Sequence, residues 1–340
     1  MRHSTFFWFV LPSGLAMFLF IALPIVSVFT QSLHVAHEQV VEEVETCAVF
    51  SCTTELRVNP EATAKLYEEA PLGRFAGLSN YTNRSHLALK ELGQAWQDSD
   101  SLGAFIGSLY NLPFYKALTF TLAYTFIVTP LVIVFGFAIA VAVNSVSSMF
   151  RGPIIFVSLL PMMVTPLIGS LILFWMIDAR GIIGATLQTL TANPDLSLKA
   201  SSTLTWIMLM VYGVWHSAPF AFVVFYAGLQ TVPKDTLESA MIDGASRWER
   251  IRYVVLPYLA PLTMFIALIQ LMDNFRVFEP IVGFNAEAHA TSLSWAIYNY
   301  MNADSKLLNS AATTSMLTIV GVAILLMPVL MRTWRDFNRG

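Results

Sequence analysis

Charged residues are scarce in this chain. Aspartate, glutamate, lysine and arginine make up 12% of the 340 residues, whereas hydrophobic residues make up 56%. Soluble domains carry roughly twice that share of charge, at about 25%. The mean hydropathy of +0.63 points the same way. The composition therefore excludes a water-soluble globular domain and indicates a protein whose solvent is the lipid bilayer.

The sequence also lacks the motifs on which many nucleotide-binding and metal-binding enzymes depend. It contains no Gly-x4-Gly-Lys-Ser/Thr phosphate loop, no dinucleotide fingerprint, no Cys-x2-Cys pair and no His-Glu-x-x-His. We therefore expect no catalytic residue and no cofactor in this chain, so any nucleotide chemistry must come from another protein. A net charge of −3 without a basic stripe argues against nucleic-acid binding.

Only two cysteines are present, Cys47 and Cys52. An oxidising compartment would allow a short-loop disulfide between them, and two free thiols are the equal alternative. A metal site is not expected, because the nearby imidazoles of His34 and His37 do not complete a zinc-ligand spacing.

Long apolar runs are abundant, and six of them reach the roughly 20 residues that a helix needs to cross a bilayer. The first run is too long for a signal peptide and has no obvious cleavage site near Thr30, so we interpret it as a retained helix. The predicted fold is an all-α integral membrane protein with six transmembrane helices. The runs cover residues 7–30, 115–143, 152–177, 204–229, 253–278 and 309–331.

Basic residues are concentrated in the short segments on one side of these runs. Lysine and arginine accumulate in cytoplasmic loops, so this side is predicted to be cytoplasmic, together with both termini. The opposite side carries an acidic insert at residues 31–113, where we expect helical or loop segments around the acidic clusters at 38–45 and 61–69. The basic residues are Arg2, Arg151, Lys234, Arg247, Arg250, Arg252, Arg332, Arg335 and Arg339.

A polar segment at residues 231–252 interrupts the apolar pattern on the predicted cytoplasmic side. Pro233 suits the first turn of a helix, and Gly244 supplies the conformation that ends one. Ser246-x-x-Glu249 is a capping-box pattern that begins another helix. The segment therefore predicts helix, turn and helix, leading into the fifth apolar run. Such a unit can transmit a push from a soluble partner, and an ordinary interfacial loop helix is the alternative.

The residues of this segment resemble a known motif. Gly228-Leu-Gln-Thr-Val-Pro-Lys234, Glu238, Ala240, Asp243-Gly-Ala245 and Leu256-Pro257 are similar to the EAA loop of ABC-importer permeases, particularly the carbohydrate branch that includes the maltose transporter. Residues 75–81 and 215–220 also resemble segments of that family. The resemblance implies a type I ABC-importer permease fold. It also implies a coupling helix seated on an ATPase, formed by Leu237, Glu238, Ala240, Met241, Asp243, Gly244 and Ala245, with Trp248 as a further apolar anchor.

By the same resemblance, the partners are a second homologous permease, two ATPase subunits that bind ATP and Mg²⁺, an external solute-binding protein and membrane lipid. The implied location is the bacterial cytoplasmic membrane. The implied domains are a first transmembrane helix at 1–30, an external insert at 31–113, a permease core at 114–331 and a cytoplasmic tail at 332–340. A Thr-x-Gly-Gly-Pro pattern found in many sugar permeases is absent after the fifth run, which weakens any transfer of their binding residues.

Ionisable residues at the end of the fifth run form a second candidate site. Asp273, Arg276 and Glu279 are spaced three apart, so on one helix they share a face and can pair. One interpretation is an ion-pair ladder at the helix end. The other is a polar wall of the translocation cavity, where carboxylates bind sugar hydroxyls and aromatic rings stack on the sugar. The candidate pathway residues are Trp215, His216, Asp273, Asn274, Arg276, Glu279, Trp295 and Tyr298.

His216 allows two interpretations: a buried, hydrogen-bonded histidine, or a functional group that acts as a ligand or a proton relay. The function predicted for the chain is the permease subunit of an ATP-driven, binding-protein-dependent importer for a sugar, polyol or glycoside. An ion-coupled or proton-coupled secondary transporter is the alternative. It would use the ionisable groups at 216, 273 and 276 but leaves the EAA-like segment unexplained.

Overall fold

The computed structural model of the chain describes residues 3–37, 40–48, 51–199, 201–303 and 307–337. Most of the described residues are helical, which confirms the predicted all-α class. They separate into two compact units. The first unit takes in described residues of 1–115 and 296–319, and the second takes in those of 116–295 and 320–340.

Short helices and strands follow the first membrane helix. As far as residue 110 the elements are α1 (His3–Met17), a π-helical turn (Phe18–Ala22), α2 (Leu23–Ser32), β1 (His34–Val35), β2 (Val41–Ala48), β3 (Ser51–Val58), α3 (Pro60–Glu69), β4 (Arg74–Phe75), α4 (Ser79–Thr82), α5 (Leu89–Asp98) and α6 (Leu102–Tyr110).

The rest of the described chain contains long helices and several short ones. They are α7 (Pro113–Ser145), α8 (Ser148–Met163), α9 (Pro166–Met176), α10 (Ile182–Thr191), α11 (Ser202–Leu229), α12 (Lys234–Ile242), α13 (Arg247–Arg250), a π-helical turn (Ile251–Val255), α14 (Leu256–Tyr258), α15 (Ala260–Phe275), α16 (Glu279–Gly283), α17 (Leu293–Asn302) and α18 (Leu308–Phe337).

Four described helical stretches are long and apolar enough to cross a membrane, and two bent pairs raise the number to six. The continuous stretches are Phe6–Ser32, Pro113–Ser145, Ser202–Leu229 and Leu308–Arg332. The bent pairs are α8 with α9, at 95°, and Arg247–Tyr258 with α15, at 67°. Each predicted apolar run therefore corresponds to one stretch or one pair, but the run lengths did not reveal the two breaks.

A proline lies at each break. The residue before a proline disfavours the α conformation, and Thr165, which precedes Pro166, is extended with ψ of 144°. Pro166 then lies in the first turn of α9, where its missing N–H is not needed. At the second break, Leu259 leaves the helical conformation with ψ of 1°, and Pro261 lies in the first turn of α15.

In the first unit, an antiparallel hairpin shows that the expectation of helical or loop structure in the first acidic cluster is wrong for residues 41–45, and residues 38–39 lie outside the described part of the chain. β2 pairs with β3 from Val41 opposite Val58 to Ala48 opposite Ser51. Both strands carry valine and threonine, whose β-branched side chains favour extended backbone. The register places the backbones of Cys47 and Cys52 opposite each other, and their side chains lie outside the described part of the chain. The second acidic cluster is helical, as expected, within α3.

Two buried asparagines in the first unit hold the end of α2. The Asn80 amide donates to the carbonyls of Ser32, at 3.1 Å, and His34, at 2.6 Å. The Asn309 amide donates to the carbonyls of Gln31, at 3.2 Å, and His34, at 2.7 Å. Carbonyls at a helix C-terminus have no partner within the helix, so these amides satisfy groups that burial would otherwise leave unpaired.

The hydrophobic core of the second unit is built mainly on α7 and α11. Phe120, Phe222 and Phe225 are almost completely buried there. A side chain at Gly136 of α7 would lie 2.5 Å from the Cβ of Ala221 in α11, so only glycine allows the two helices to approach this closely. Close approach through small residues is typical of helix packing in membranes.

Candidate functional site

The polar segment at residues 231–252, named here the coupling segment, folds as helix, turn and helix. Helix α12 ends in a Schellman motif, in which Gly244 adopts a positive φ of 80°. The Gly244 N–H donates to the Met241 carbonyl at 3.1 Å, and the Ala245 N–H donates to the Ala240 carbonyl at 3.0 Å. A Cβ on Gly244 would meet nothing within 4 Å, so its backbone conformation, not lack of space, favours glycine.

The predicted capping box begins α13. The Ser246 N–H donates to the Glu249 carboxylate at 2.7 Å, and the Glu249 N–H donates to the Ser246 hydroxyl oxygen at 3.3 Å. Hydrogen bonds from the Ser246 hydroxyl and then from its backbone N–H stabilise the charged carboxylate, so the pKa of Glu249 lies below its ordinary value. The helix–turn–helix geometry inferred from the sequence is thus confirmed.

Apolar side chains on the coupling segment face outward. Ile242 is 86% exposed, Trp248 65% and Met241 54%; together they are called the coupling face. Leu237 differs from its predicted role, because it is half-buried and packs against the hydrophobic core of the second unit. Of the remaining predicted coupling residues, Glu238 and Asp243 are exposed, whereas Ala240 and Ala245 are half-buried.

Ile242 was missing from the predicted coupling residues. The signal was in the sequence, because Glu238 and Ser239 precede Ile242 by four and three residues and therefore share its side of the helix. Ile242 is thus an exposed apolar side chain on the polar side of α12.

The second candidate site is a cavity of about 440 Å³ in the second unit. It brings together five of the eight predicted pathway residues, His216, Asp273, Asn274, Arg276 and Glu279, on α11, α15 and the start of α16. The other lining residues are Tyr124, Pro166, Tyr212, Gly213, Ser217, Val277 and Pro280.

The three charged residues of this cavity do not share one helix face. Arg276 and Asp273 form the expected ion pair, with 3.0 Å between Nη2 and Oδ1. The expected pairing of Arg276 with Glu279 is wrong for the described structure, which has no salt bridge between them. Helix α15 ends at Phe275, and Glu279 begins the separate helix α16. Pro280 fits the first turn of that new helix, which favours a restart over continuation.

The three aromatic residues predicted for the pathway do not line this cavity. Trp215 is half-exposed and lines an apolar groove. Successive residues of a helix point about 100° apart. Because the next residue, His216, faces the cavity, Trp215 points away from it. Trp295 is half-buried against the core of the second unit. Tyr298 belongs to the first unit. Two other aromatic residues, Tyr124 and Tyr212, line the cavity instead. Tyr212 precedes His216 by four residues, so helical spacing could have identified it.

Two side chains of α11 satisfy the backbone near the break between α8 and α9. His216 Nε2 donates to the Val164 carbonyl at 3.0 Å, and the Tyr212 hydroxyl donates to the Pro166 carbonyl at 2.9 Å. Broken helices are tolerated at membrane depth only where neighbouring groups re-satisfy the freed backbone. His216 is therefore hydrogen-bonded, and it is half-buried with its side chain in the lining of the cavity.

Asn274 of α15 lines the cavity on the side where α15 packs against α7. The residue is 6% exposed, and its amide donates to the Thr129 hydroxyl oxygen at 2.9 Å and approaches the Gln270 side-chain oxygen at 3.5 Å. A buried amide in this setting needs such partners. Its main contribution is to fix α15 against α7.

Comparison with known proteins shows which family this chain belongs to. The family model described as "Binding-protein-dependent transport system inner membrane component" matches residues 101–336. The chain belongs to this family. It is therefore a permease subunit of an ABC importer, a transport subunit, and ATP hydrolysis is carried out by separate ATPase subunits in such systems.

Curated relatives of the permease come from several importers. It is 28% identical to the trehalose/maltose transport system permease protein MalF of Thermococcus litoralis, over 61% of this chain and 70% of the relative. It is 28% identical to the arabinooligosaccharides transport system permease protein AraP of Bacillus subtilis, over 60% of this chain and 58% of the relative. It is 27% identical to the sn-glycerol-3-phosphate transport system permease protein UgpA of Yersinia pestis, over 67% of this chain and 77% of the relative.

Among solved structures, the permease resembles a chain of a bacterial ABC transporter involved in the import of the acidic polysaccharide alginate. The TM-score is 0.61 at 18% identity, and the match covers 81% of the permease and 96% of that chain. At this identity the likeness shows a shared fold.

Proposed function

We propose that this permease forms one part of the translocation pathway for a sugar, polyol or glycoside across a bacterial cytoplasmic membrane. A second homologous permease completes the pathway, two ATPase subunits bind ATP and Mg²⁺, and an external solute-binding protein delivers the substrate. In this arrangement, closure of the ATPases moves the coupling segment, and the membrane helices then rock to open the cavity.

The observation that carries the proposal is the coupling face. Ile242, Trp248 and Met241 are large apolar residues exposed on a helix–turn–helix whose turn is fixed by Gly244. Apolar anchors with a rigid backbone are typical of protein interfaces. Leu237 packs inward and holds the segment to the membrane helices, so a displacement of the face would be transmitted to them.

Basic residues near this segment support a cytoplasmic orientation. The Gln230 amide at the end of α11 donates to the Asn144 side-chain oxygen near the end of α7, at 3.1 Å, and Arg151 donates to the Asn144 carbonyl at 3.3 Å. Arg247 and Arg250 line a pocket with the same asparagine. This end of the second unit is therefore rich in arginine, as expected for a cytoplasmic face.

The charges of the cavity favour an uncharged, polyhydroxylated substrate. Asp273 is neutralised by Arg276, whereas Glu279 has no salt-bridge partner among the described residues, so the cavity carries a net negative charge. A carboxylate and tyrosine hydroxyls accept and donate hydrogen bonds to sugar hydroxyls, and a negative cavity disfavours an anion. The trehalose, maltose and arabinooligosaccharide systems among the relatives are consistent with this class.

Copurification tests the ATPase partnership. The tagged chain is isolated from the membranes of its host, and ATP hydrolysis is measured in the purified complex. We expect Ile242→Asp and Trp248→Asp to lose most of the bound ATPase, because a desolvated carboxylate in an apolar interface costs several kcal/mol.

Ile182→Asp is the matched control, since Ile182 is 76% exposed on α10 and lies outside the coupling face. It should keep the ATPase. Equal recovery of ATPase with all three variants would contradict the coupling role, and ion-driven uptake by the purified chain alone would support a secondary transporter instead.

A further inference from the structure

A second polar pocket lies beside the coupling segment. Its volume is about 330 Å³, and it opens where α7 and α11 end. No acidic side chain belongs to its lining. The described lining residues are Val141, Asn144, Ser145, Leu229, Leu237, Arg247, Arg250, Ile251 and Val255.

Arg250 brings an uncompensated positive charge into this pocket. Its side chain is half-buried, and its Nε atom is buried without a hydrogen-bond partner among the described residues. The described salt bridges involve neither Arg250 nor Arg247. Buried polar groups in proteins are nearly always paired, and buried charge is costly without a counter-charge. The described lining therefore presents positive charge without a counter-charge.

The helix ends do not account for these arginines. Carbonyls at the C-terminus of α7 attract cations, but Arg151 already serves them. Its Nη2 donates to the Asn144 carbonyl at 3.3 Å and to the Val146 carbonyl at 3.0 Å. Arg247 and Arg250 have no described bond to these carbonyls, so their donors are available for a ligand.

We propose that this pocket binds a phosphate group, presented by the headgroup of an anionic phospholipid or as free phosphate. The planar guanidinium fork matches phosphate oxygens, and each charge-assisted hydrogen bond is stronger than a neutral one. Basic pockets between membrane helices are typical sites for anionic headgroups. Leu237, Ile251 and Val255 supply an apolar wall, which suits the chain of a lipid that enters from the bilayer.

The lipid arm of the test uses the full chain in detergent after delipidation. Phosphatidylglycerol and phosphatidylcholine with the same acyl chains are added separately, and bound lipid is counted by native mass spectrometry. We expect phosphatidylglycerol to be retained in preference to phosphatidylcholine. Arg250→Gln and Arg247→Gln should each weaken that retention roughly tenfold or more, which corresponds to one lost charge-assisted hydrogen bond.

The free-phosphate arm measures the thermal unfolding midpoint in sodium phosphate and in sodium chloride of equal ionic strength. A rise with phosphate that disappears in Arg250→Gln, together with unselective lipid retention, assigns the pocket to free phosphate. Selective retention of phosphatidylglycerol, with no rise of the unfolding midpoint in phosphate, assigns it to lipid.

Arg252→Gln is the control, because Arg252 is exposed on the neighbouring turn and does not line the pocket. Arg247 is exposed, so its replacement is expected to leave the fold intact even if Arg250→Gln does not. If Arg247→Gln and Arg252→Gln bind both phosphatidylglycerol and phosphate as the unmodified chain does, the proposal is overturned.

Discussion

The imidazole of His216 donates a hydrogen bond from Nε2 to the backbone carbonyl of Val164, at 3.0 Å. Val164 lies where α8 ends and before α9 begins, so the contact ties α11 to the break in the third apolar run. The same histidine lines the polar cavity. One side chain thus supports the broken helix and forms part of the cavity wall.

Replacing His216 with leucine is expected to lower the free energy of unfolding by about 1–3 kcal/mol, because the Val164 carbonyl loses its donor at a partly buried position. The unfolding midpoints of the two proteins in detergent measure the loss. His216→Gln keeps an N–H donor and should recover part of the stability. If His216→Leu has the same unfolding midpoint as the unmodified chain but does not transport, the histidine acts in transport and does not stabilise the broken helix.

Gly244 offers a test of the coupling turn. At φ of 80°, asparagine is tolerated but valine is strained by about 1–2 kcal/mol. The Cβ atom that either substitution adds would meet nothing within 4 Å. We therefore expect Gly244→Val to reduce substrate-stimulated ATP hydrolysis in the assembled complex and Gly244→Asn to retain most of it.

Gly93→Val is the control for this pair. Gly93 also has open space around it, but its φ is ordinary, so the added side chain brings no backbone strain. Normal assembly, transport and ATPase stimulation in Gly244→Val would show that the turn does not couple hydrolysis to transport.

The coupling segment could be predicted from the sequence because its signals are local. Gly244 ends a helix four residues after Ala240, and Ser246 caps the next helix through Glu249. Each contact spans at most five residues, so the residue types alone specify it. Ile242 follows the same local rule, since it lies three and four residues after Ser239 and Glu238 on one side of α12.

The cavity was harder to predict because it depends on contacts between distant residues. Asn274 is fixed by Thr129, and His216 by Val164. Helical spacing correctly paired Asp273 with Arg276, but it wrongly continued the helix to Glu279 past its end at Phe275. Where a membrane helix ends depends on what its neighbours can satisfy, and a single sequence does not contain that information.

The charged residues of the cavity are expected to affect substrate binding more than the stability of the fold. Asp273 and Arg276 are more than half exposed, and such ion pairs contribute about 0–1 kcal/mol. Arg276→Gln should therefore change the unfolding midpoint little. Glu279→Gln should raise the substrate concentration for half-maximal uptake about tenfold, which is the effect of losing one charged hydrogen bond. Asp195→Asn, outside the cavity and exposed, should change neither quantity.

The hairpin register makes the cysteine alternatives testable. Directly opposed residues of an antiparallel pair have Cα atoms about 4.5–5.5 Å apart, which falls within the range for disulfides, and Cys47 is opposite Cys52. We expect the pair to be oxidised in the chain isolated from its host. Maleimide labelling with and without reductant measures this, and full labelling without reductant would indicate free thiols.

A pH dependence follows from His86 in the first unit. The ring is completely buried, with Nδ1 2.8 Å from the Asn83 side-chain oxygen and Nε2 3.2 Å from the Ser310 carbonyl. Burial disfavours the charged imidazolium and lowers the pKa of His86 below its ordinary value of 6.5, while backbone hydrogen bonds act more weakly in the opposite direction.

The lowered pKa means that the unfolded chain binds a proton at a pH where the folded chain does not. Stability therefore rises with pH across this window. The contribution of His86 is complete above about pH 6.5 and is lost as the pH falls through the lower folded pKa.

His86→Gln keeps hydrogen-bonding capacity but does not titrate. We expect the difference in unfolding midpoint between the unmodified chain and this variant to shrink on acidification below pH 6.5. A difference that stays constant or grows would mean that the folded protein accepts the proton, and the buried ring would then be stabilised as a cation by its two oxygen acceptors.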